Sequence, residues 1–356
     1  MSIARRFFPL FLLLLFLASC VGGQAPPGGQ ALLLAGPEYE VMLLSNWRTP
    51  EEKRETLSPS IDSGANNILI RGGTGLLTFY PDGSWEIKQP EGGNPEKGNF
   101  GGKASLALDY KRDKALVQVK DEDGFSYFLW DLKTNQRKSW TPQFPHTFGK
   151  QEEVEGNIAL EGDLIAVLTK DSLGAYHLWG IDSYESHHLM ELPSLIRPFL
   201  QLHRPTGSMI GSLLSISPDG RWIVMLTGFI PGMGTPYFIV DRRQGGRYVE
   251  VWPEHFNAPL KYIFWSPDSG RLLMSSEMMD GSGRSFLFNL PPTKREQLNE
   301  LAFWVGNDWL LLYHTALPGG VASPPVEARF LDLTFGKETK VDLSSYTVIL
   351  DVFPEE

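Results

Sequence analysis

The chain has 356 residues and a formal net charge of −10, and hydrophobic residues make up 42% of it. The acidic balance argues against nucleic acid as a partner and against electrostatic adhesion to anionic lipid. The apolar fraction is sufficient for a sizeable core. With 36 glycines and 26 prolines, the composition predicts many short strands joined by tight turns.

The N-terminus has the features of an export signal. Two arginines, Arg5 and Arg6, precede the apolar run Phe7–Leu17, which is too short to span a bilayer because a spanning helix needs about 20 apolar residues. The run leads into the sequence LASC, whose last residue, Cys20, is the only cysteine of the chain. An ordinary signal peptide with an incidental cysteine is the alternative interpretation.

The LASC sequence resembles the lipobox of bacterial lipoproteins, in which the cysteine thiol is alkylated with diacylglycerol and the peptide is cut before it. This resemblance implies a lipoprotein signal peptide over residues 1–19 and a lipid on Cys20. It also implies attachment to the extracytoplasmic side of a bacterial membrane, in the periplasm or at the cell surface. The glycine, proline and glutamine that follow predict a flexible linker, so we assign 20–37 to the lipidated cysteine and linker and 38–356 to the folded domain.

Helical patterns are scarce in the folded domain. The stretches Pro50–Thr56 and Leu192–Leu202 are the best helix candidates, and both are weak. The fold is therefore predicted to be all-β.

A unit of about 40 to 50 residues recurs along the chain, a period typical of propeller blades. Two copies are plain, SLLSISPDGRWIVMLTG from Ser212 and LKYIFWSPDSGRLLMSSE from Leu260. Each has a strand, a Ser-Pro-Asp turn and a second strand. In the turn proline presets the backbone and aspartate bonds its own main chain. Fainter copies begin near Leu106, Asn157 and Leu301.

Further along each unit a short apolar strand ends at an acidic or amide residue, and one more strand follows it, which makes four strands per unit. Five such units begin at Leu106 or later. The strands NNILIRG, GLLTFYPDG and SWEIKQP, joined by the C-terminal TVILDVF, predict a sixth. The sequence thus predicts a six-bladed β-propeller closed by pairing of the N- and C-terminal strands. The alternative is seven blades, with the additional blade beginning at YEVMLLSN near Tyr39.

The SPDGRWI and SPDSGRLL motifs resemble the TolB-type and WD-type propeller repeats of bacterial exported proteins. The resemblance extends from about residue 60 to the C-terminus and implies a fold rather than a function. TolB carries an additional α/β domain for which this chain has neither room nor pattern, so a TolB-like role does not carry over.

No catalytic constellation is evident in the sequence, which lacks a G-x-S-x-G elbow, an H-E-x-x-H motif and paired cysteines. His177 sits in an apolar strand and is interpreted as a packed residue, whereas the adjacent His187 and His188 should face opposite sides of a strand. The acidic run Asp121–Asp123 is interpreted as a hairpin tip rather than a calcium site. We therefore predict no catalytic residue, no metal site and no cofactor.

Long loops recur between the second and third strands of successive units, and a long connection, Leu192–Gly207, should emerge on the same face. Exposed apolar and methionine-bearing loops are typical of recognition surfaces. The predicted binding residues are Phe199, His203, Phe229, Ile230, Met233, Met278, Met279, Leu317 and Val321.

The sequence favours a membrane-anchored propeller lipoprotein that binds or docks a protein or peptide in the cell envelope. Loops that fold onto themselves or cap the central channel are the alternative interpretation of this face. The alternative functions are an enzyme acting on a sugar or lactone at the central channel and a small-ligand receptor that uses the same channel.

Overall fold

The computed structural model describes residues 25–36, 38, 40–58, 65–71, 73–89, 93–120, 125–142, 153–182, 185–194, 214–226, 235–251, 260, 262–277, 283–292, 295–314 and 326–353. Over these ranges the strands form seven four-stranded antiparallel sheets. We number the sheets as blades 1 to 7 in chain order.

Each blade has four strand positions, numbered from the first to the fourth in the order of pairing across the sheet. Blade 1 contains β28 (Val348–Phe353), β1 (Ala31–Ala35), β2 (Val41–Ser45) and β3 (Lys53–Ser58). Blade 2 contains β4 (Asn66–Ile70), β5 (Gly75–Phe79), β6 (Ser84–Lys88) and β7 (Glu96–Asn99). Blade 3 contains β8 (Lys103–Leu108), β9 (Lys114–Lys120), β10 (Phe125–Asp131) and β11 (Gln136–Trp140).

Blades 4 to 7 follow the same plan without exchange of strands. Blade 4 contains β12 (Glu153–Glu161), β13 (Leu164–Lys170), β14 (Tyr176–Ile181) and β15 (Ser186–Glu191). Blade 5 contains β16 (Leu214–Ile216), β17 (Trp222–Leu226), β18 (Tyr237–Asp241) and β19 (Arg247–Val251). Blade 6 contains β20 (Tyr262–Trp265), β21 (Arg271–Glu277), β22 (Gly283–Asn289) and β23 (Arg295–Leu298). Blade 7 contains β24 (Leu301–Gly306), β25 (Trp309–His314), β26 (Val326–Asp332) and β27 (Lys337–Leu343).

Among the described residues, seven apolar clusters join the blades into a ring, one between each pair of neighbours. Alternation along a strand sends its side chains to both neighbours. In β24, Leu301, Phe303 and Val305 pack toward blade 1, whereas Ala302 and Trp304 pack toward blade 6. First strands of neighbouring blades also contact each other, as β24 does with β28 and β28 with β4, which places them around a common axis. The fold is a seven-bladed β-propeller.

Blade 1 closes the ring by combining the two ends of the chain, as the sequence predicts. Leu32 of β1 pairs with Val352 of β28 in an antiparallel register. The Asp351 carboxylate accepts hydrogen bonds from the Leu69 N–H (3.0 Å) in blade 2 and from the Arg112 guanidinium (3.1 Å from Nη2 to Oδ1) in blade 3. This ion pair, largely shielded from solvent, connects three blades at the point of closure.

The prediction of six blades is wrong, and the alternative of seven is correct. YEVMLLSN contains β2, and the strands predicted to share a blade with TVILDVF form a complete blade of their own with β7. The outermost strands β3 and β7 have the sequences KRETLS and EKGN and are mostly solvent-facing, so they lack the apolar alternation that marks a strand in sequence. The helix candidate at Pro50–Thr56 is also wrong, because this stretch runs into β3.

The boundary between linker and propeller lies earlier than residue 38. The fully buried strand β1 falls within the stretch 20–37 that the sequence assigns to the linker. Its sequence, ALLLA, is a short apolar run of the kind that forms a strand buried on both faces. The five units predicted from Leu106 onward are confirmed as blades 3 to 7.

The two ends of the ring differ in the connections they carry. Because the strands of a blade are antiparallel, the first-to-second and third-to-fourth connections emerge at one end, which we call the turn face. The second-to-third connections and the links between blades emerge at the other, which we call the loop face. On the turn face, backbone N–H groups of one blade donate to side chains in the next blade: Tyr110 to Glu161 (2.7 Å), Asp219 to Ser269 (3.0 Å) and Asp268 to Asn307 (2.8 Å).

The Ser-Pro-Asp turns of blades 5 and 6 also lie on the turn face, and both are built in the same way. The buried Ser266 hydroxyl accepts from the Arg271 N–H (2.9 Å) and donates to Asp268 Oδ1 (2.6 Å). Ser217 makes the corresponding bonds to Trp222 and Asp219 at the same distances. In both copies the motif thus lies on the turn face, where its serine joins the start of the second strand to the preceding turn by hydrogen bonds.

Candidate functional site

The predicted binding residues lie outside the described residues, as does Cys20. The set comprises Phe199, His203, Phe229, Ile230, Met233, Met278, Met279, Leu317 and Val321. The described strands on either side of these segments do end at the loop face. For example, β17 ends at Leu226 and β18 begins at Tyr237.

The described part of the loop face contains one junction with exposed aromatic and imidazole groups, between blades 3 and 4. We call it the 3–4 junction and define it by Phe125, Tyr127 and Trp140 of blade 3 and by Leu173, His177, Trp179 and His188 of blade 4. Tyr127 and Trp179 belong to the apolar cluster between these two blades, and Trp140 packs against it.

On the blade 3 side, alternation in β10 directs Phe125 and Tyr127 toward blade 4. The Tyr127 and Trp140 rings meet edge to face with their centroids 5.6 Å apart. The buried Tyr127 hydroxyl accepts from Gln118 Nε2 at 3.3 Å, and burial raises the pKa of this phenol above its ordinary value. Phe125 lies next to this pair at the start of the strand and is 43% exposed.

On the blade 4 side, a β-bulge determines which histidine faces the junction. The pairing of β14 with β15 shifts register between Leu178 and Trp179, so that Trp179 pairs with His188 while Leu178 pairs with Met190. Without this shift His188 would lie on the side that faces blade 5. Bulges commonly redirect a side chain in this way. The His188 ring instead lies 5.0 Å from the Trp179 ring and 5.2 Å from the His177 ring.

The two imidazoles are within hydrogen-bonding distance, with His177 Nδ1 3.1 Å from His188 Nε2. The other nitrogen of His177, Nε2, lies 3.6 Å from Asp171 Oδ2. Asp171 is itself held in place, because its Oδ1 accepts from the N–H groups of Leu173 and Ala175, each at 2.8 Å. The Asp171 carboxylate, the His177 ring and the His188 ring thus lie in a row, and the row ends at the exposed His188 ring.

Behind the histidines, the wall of the site is fixed by buried side chains. Trp179 Nε1 donates to Thr169 Oγ1 at 3.0 Å, and this hydroxyl lies 3.3 Å from the backbone carbonyl oxygen of His177. Beside them, the turn Asp171–Ala175 carries Leu173, which is 73% exposed. The 3–4 junction therefore offers apolar surface, aromatic rings and imidazole nitrogens next to one another.

The turn face has a different kind of polar site, at the ends of the first strands of blades 3 and 4. Burial, aided by the nearby Asp109 carboxyl, raises the pKa of the Glu161 carboxyl to about 8. Burial likewise raises the pKa of Asp109, whose Oδ1 accepts from the N–H groups of Asp113 and Lys114. Both carboxyl groups accept backbone N–H bonds within and between blades, which is a structural role. Among the described residues, no group of three or more His, Asp or Glu side chains is arranged to hold a metal ion.

The sequence alone does not indicate the histidine pair. His177 is predicted to be a packed residue, and its side chain is 15% exposed, with the ring in contact with His188. The expectation that His187 and His188 face opposite sides agrees with their contacts, because His187 Nε2 lies 3.7 Å from Asp182 Oδ2 instead. The register shift that aligns His188 with His177 has no marker in the sequence, and only the short spacing between these residues hints at the pair.

The similarities to known proteins lie among solved structures. No protein family and no curated protein matches the sequence. Similar solved structures include a putative TolB from Agrobacterium tumefaciens, 14% identical, with 76% of this chain and 89% of that chain covered and a TM-score of 0.43. The β-propeller domain of Myceliophteria thermophila Cps50 (Swd1) is also 14% identical, with 79% and 88% covered and a TM-score of 0.44. A functionally unknown protein from Desulfotomaculum acetoxidans is 12% identical, with 92% and 100% covered and a TM-score of 0.46.

These likenesses concern the fold alone, and the assignment as a propeller rests on the sheet topology. Within the described part of the chain, no helix has the length and apolar character needed to cross a membrane.

Proposed function

We propose that this protein is a lipid-anchored β-propeller of the bacterial cell envelope that docks a protein or peptide on its loop face. The observation that carries the docking role is the exposure of Phe125 (43%) and Leu173 (73%) on neighbouring blades of that face. Exposed apolar groups beside buried aromatic rings are typical of interaction surfaces, in which a few aromatic contacts supply most of the binding energy.

The long segments that carry the predicted binding residues would extend the same surface. The described strands flanking 195–213, 227–234, 278–282 and 315–325 all end at the loop face. An apolar segment of the partner would then contact the 3–4 junction, and these segments would supply further contacts around it. Propellers commonly bind ligands through such loops, because a rigid ring holds them in place.

Site-specific photo-crosslinking of the full-length chain in cells tests the docking proposal. We expect a photoreactive phenylalanine analogue at Leu173 to yield a discrete crosslinked protein or peptide. The same analogue at Phe335 is the matched control, because Phe335 is 64% exposed in a turn-face connection. Crosslinks at Phe335 but not at Leu173 would contradict the proposal.

A second experiment separates loss of docking from loss of folding. The double variant Phe125→Asp and Leu173→Asp should lose the partner in a pull-down but unfold at the same urea concentration as the parent chain, because both side chains are exposed. The variant Phe229→Asp/Met233→Asp tests the segment between β17 and β18 in the same assay. If both variants retain the partner at parental levels, the loop face is not the docking surface.

The anchor is supported by the sequence LASC at the end of an export signal and by the absence of other cysteines from the chain. Lipid on Cys20 would hold the propeller at the extracytoplasmic side of the membrane, since each buried methylene contributes about 0.8 kcal/mol. We expect the protein to incorporate labelled palmitate and to sediment with membranes, and the Cys20→Ala variant to do neither. A parent chain that incorporates no label would contradict the lipid anchor and leave the docking experiment unaffected.

A further inference from the structure

We infer that His177 and His188 form a binding site for a divalent transition-metal ion, with zinc as its representative. This inference is independent of the docking proposal, because it rests on the geometry of blade 4 alone. It assigns to the 3–4 junction a ligand that neither the sequence nor the fold indicates.

The spacing of the two nitrogens suits two ligands of one ion. Zinc binds imidazole nitrogen at about 2.05 Å. Two such bonds to nitrogens 3.1 Å apart enclose an angle of about 98°. This lies between the 90° of square-planar and the 109° of tetrahedral coordination, so the separation of the two nitrogens suits an ion that binds both rings.

In the hydrogen-bonded pair a proton lies between the two nitrogens. In the metal-bound pair both lone pairs bind the ion, which lies about 1.3 Å off the line between the nitrogens because two bonds of about 2.05 Å together exceed their 3.1 Å separation. Both rings remain neutral when His177 carries its proton on Nε2 and His188 carries its proton on Nδ1. Binding to a neutral pair therefore moves the proton of His188 from one nitrogen to the other and releases none.

The Asp171 carboxylate can orient the His177 ring, as carboxylates commonly do for metal-binding histidines. Such histidines generally direct their second nitrogen toward a carboxylate, which fixes the tautomer and strengthens the ligand. The carboxylate of Asp171 lies 3.6 Å from Nε2 of His177 and is oriented by the N–H groups of Leu173 and Ala175. It favours the tautomer that leaves Nδ1 of His177 available to the ion.

The site is also preorganised by its surroundings. The register shift holds His188 over the Trp179 ring, and Trp179 is fixed by its bond to Thr169. The exposed side of His188 allows water to complete the coordination. Two protein ligands make this a site of moderate affinity rather than a structural zinc centre.

Isothermal titration of ZnCl₂ into the untagged full-length chain in detergent micelles tests the inference. We expect the parent chain to bind one zinc ion. We expect the variant His188→Ala, which changes an exposed residue, to bind zinc at least tenfold more weakly than the parent. The variant Asp171→Asn keeps an acceptor for the two backbone N–H groups and should bind severalfold more weakly.

His187→Ala is the matched control, because it removes the neighbouring histidine, which contacts Asp182 and Glu185 instead of His177. Its zinc affinity should equal that of the parent chain. Circular dichroism in the near ultraviolet verifies that each variant keeps its packed aromatic groups. The inference is overturned if the parent chain binds no zinc, or if His188→Ala binds as tightly as the parent.

Discussion

The turn face and the loop face of this propeller use their polar groups in opposite ways. On the turn face, charged and hydroxyl side chains bond to the backbone of their own or the neighbouring blade, as Glu161, Ser269 and Asn307 do. On the described loop face, the polar groups of the 3–4 junction lead toward an exposed imidazole, beside apolar side chains in solvent. The described turn face thus joins its polar groups to the backbone of the ring, whereas the 3–4 junction leaves an imidazole and apolar side chains in contact with solvent.

The closing ion pair should show the largest effect. Arg112→Ala removes the guanidinium that contacts Asp351 and leaves a carboxylate without its charged partner at a largely buried position. We expect a loss of about 3 kcal/mol in the free energy of unfolding by urea. Lys114→Ala, which breaks the exposed pair with Asp163, is the control and should cost less than about 1 kcal/mol. If the two variants lose the same free energy of unfolding, the ion pair at the point of closure contributes no more to stability than an exposed ion pair.

Glu161 makes turn-face stability depend on pH. Its folded pKa of about 8 lies above the ordinary value of 4.5, so folding favours the protonated form. The stabilisation is complete below pH 4.5 and is lost as the pH rises through 8. Glu161→Gln keeps an acceptor for the Tyr110 N–H and removes the titration. Relative to the parent, we expect the free energy of unfolding of the variant to rise by about 4 kcal/mol between pH 5 and pH 8.5, because each pH unit between the two pKa values contributes about 1.4 kcal/mol. Parallel urea-stability profiles for the two proteins would contradict the raised pKa.

The Ser-Pro-Asp turn should show a smaller effect. Ser266→Ala removes a buried hydroxyl and leaves the N–H of Arg271 without this acceptor, which should cost about 1 kcal/mol in urea unfolding. The exposed Ser344, whose hydroxyl donates to Asp342, provides the control, and Ser344→Ala should stay within about 0.5 kcal/mol of the parent. If the two serines behave alike, burial does not distinguish the motif from an ordinary surface turn.

The smallest effect on stability is expected for a substitution on the loop face. Leu173→Asp should change the free energy of unfolding by less than about 0.5 kcal/mol, because its side chain is 73% exposed. The same substitution at Phe335, on the turn face, should be equally neutral in stability. Only the loop-face variant should alter partner binding. A large destabilisation by Leu173→Asp would mean that this turn supports the fold.

The features that could be predicted from sequence are those with strong local patterns. The Ser-Pro-Asp turns, the third strands that end at residues such as Asp131 and Asp241, and the closing strand near the C-terminus all follow from turn chemistry and apolar runs. The outer strands β3 and β7 escaped prediction because they are polar and paired on one side only. Missing them removed one blade from the count.

The histidine pair could not be predicted for a different reason. Its geometry depends on a register shift between β14 and β15. At this shift the consecutive residues Leu189 and Met190 both pack in the apolar cluster between blades 4 and 5, a contact that no local motif indicates. The position of Gly246 adds to this, because a Cβ there would meet the Leu189 carbonyl oxygen at 2.1 Å. Gly246 of blade 5 thus permits the close approach of the bulged strand of blade 4. No short sequence window contains both Gly246 and the bulge.

The pairing of β1 with β28 has a consequence for the order in which the protein can fold. During synthesis or export from the N-terminus, the free edge of β1 has no partner until Phe353 has emerged, although every other blade can assemble from contiguous chain. Sequestering that apolar edge therefore comes last, and the strand ALLLA is open to aggregation or to chaperones until then. A nascent chain stalled before Val348 should accordingly be far more sensitive to protease than one released after Phe353.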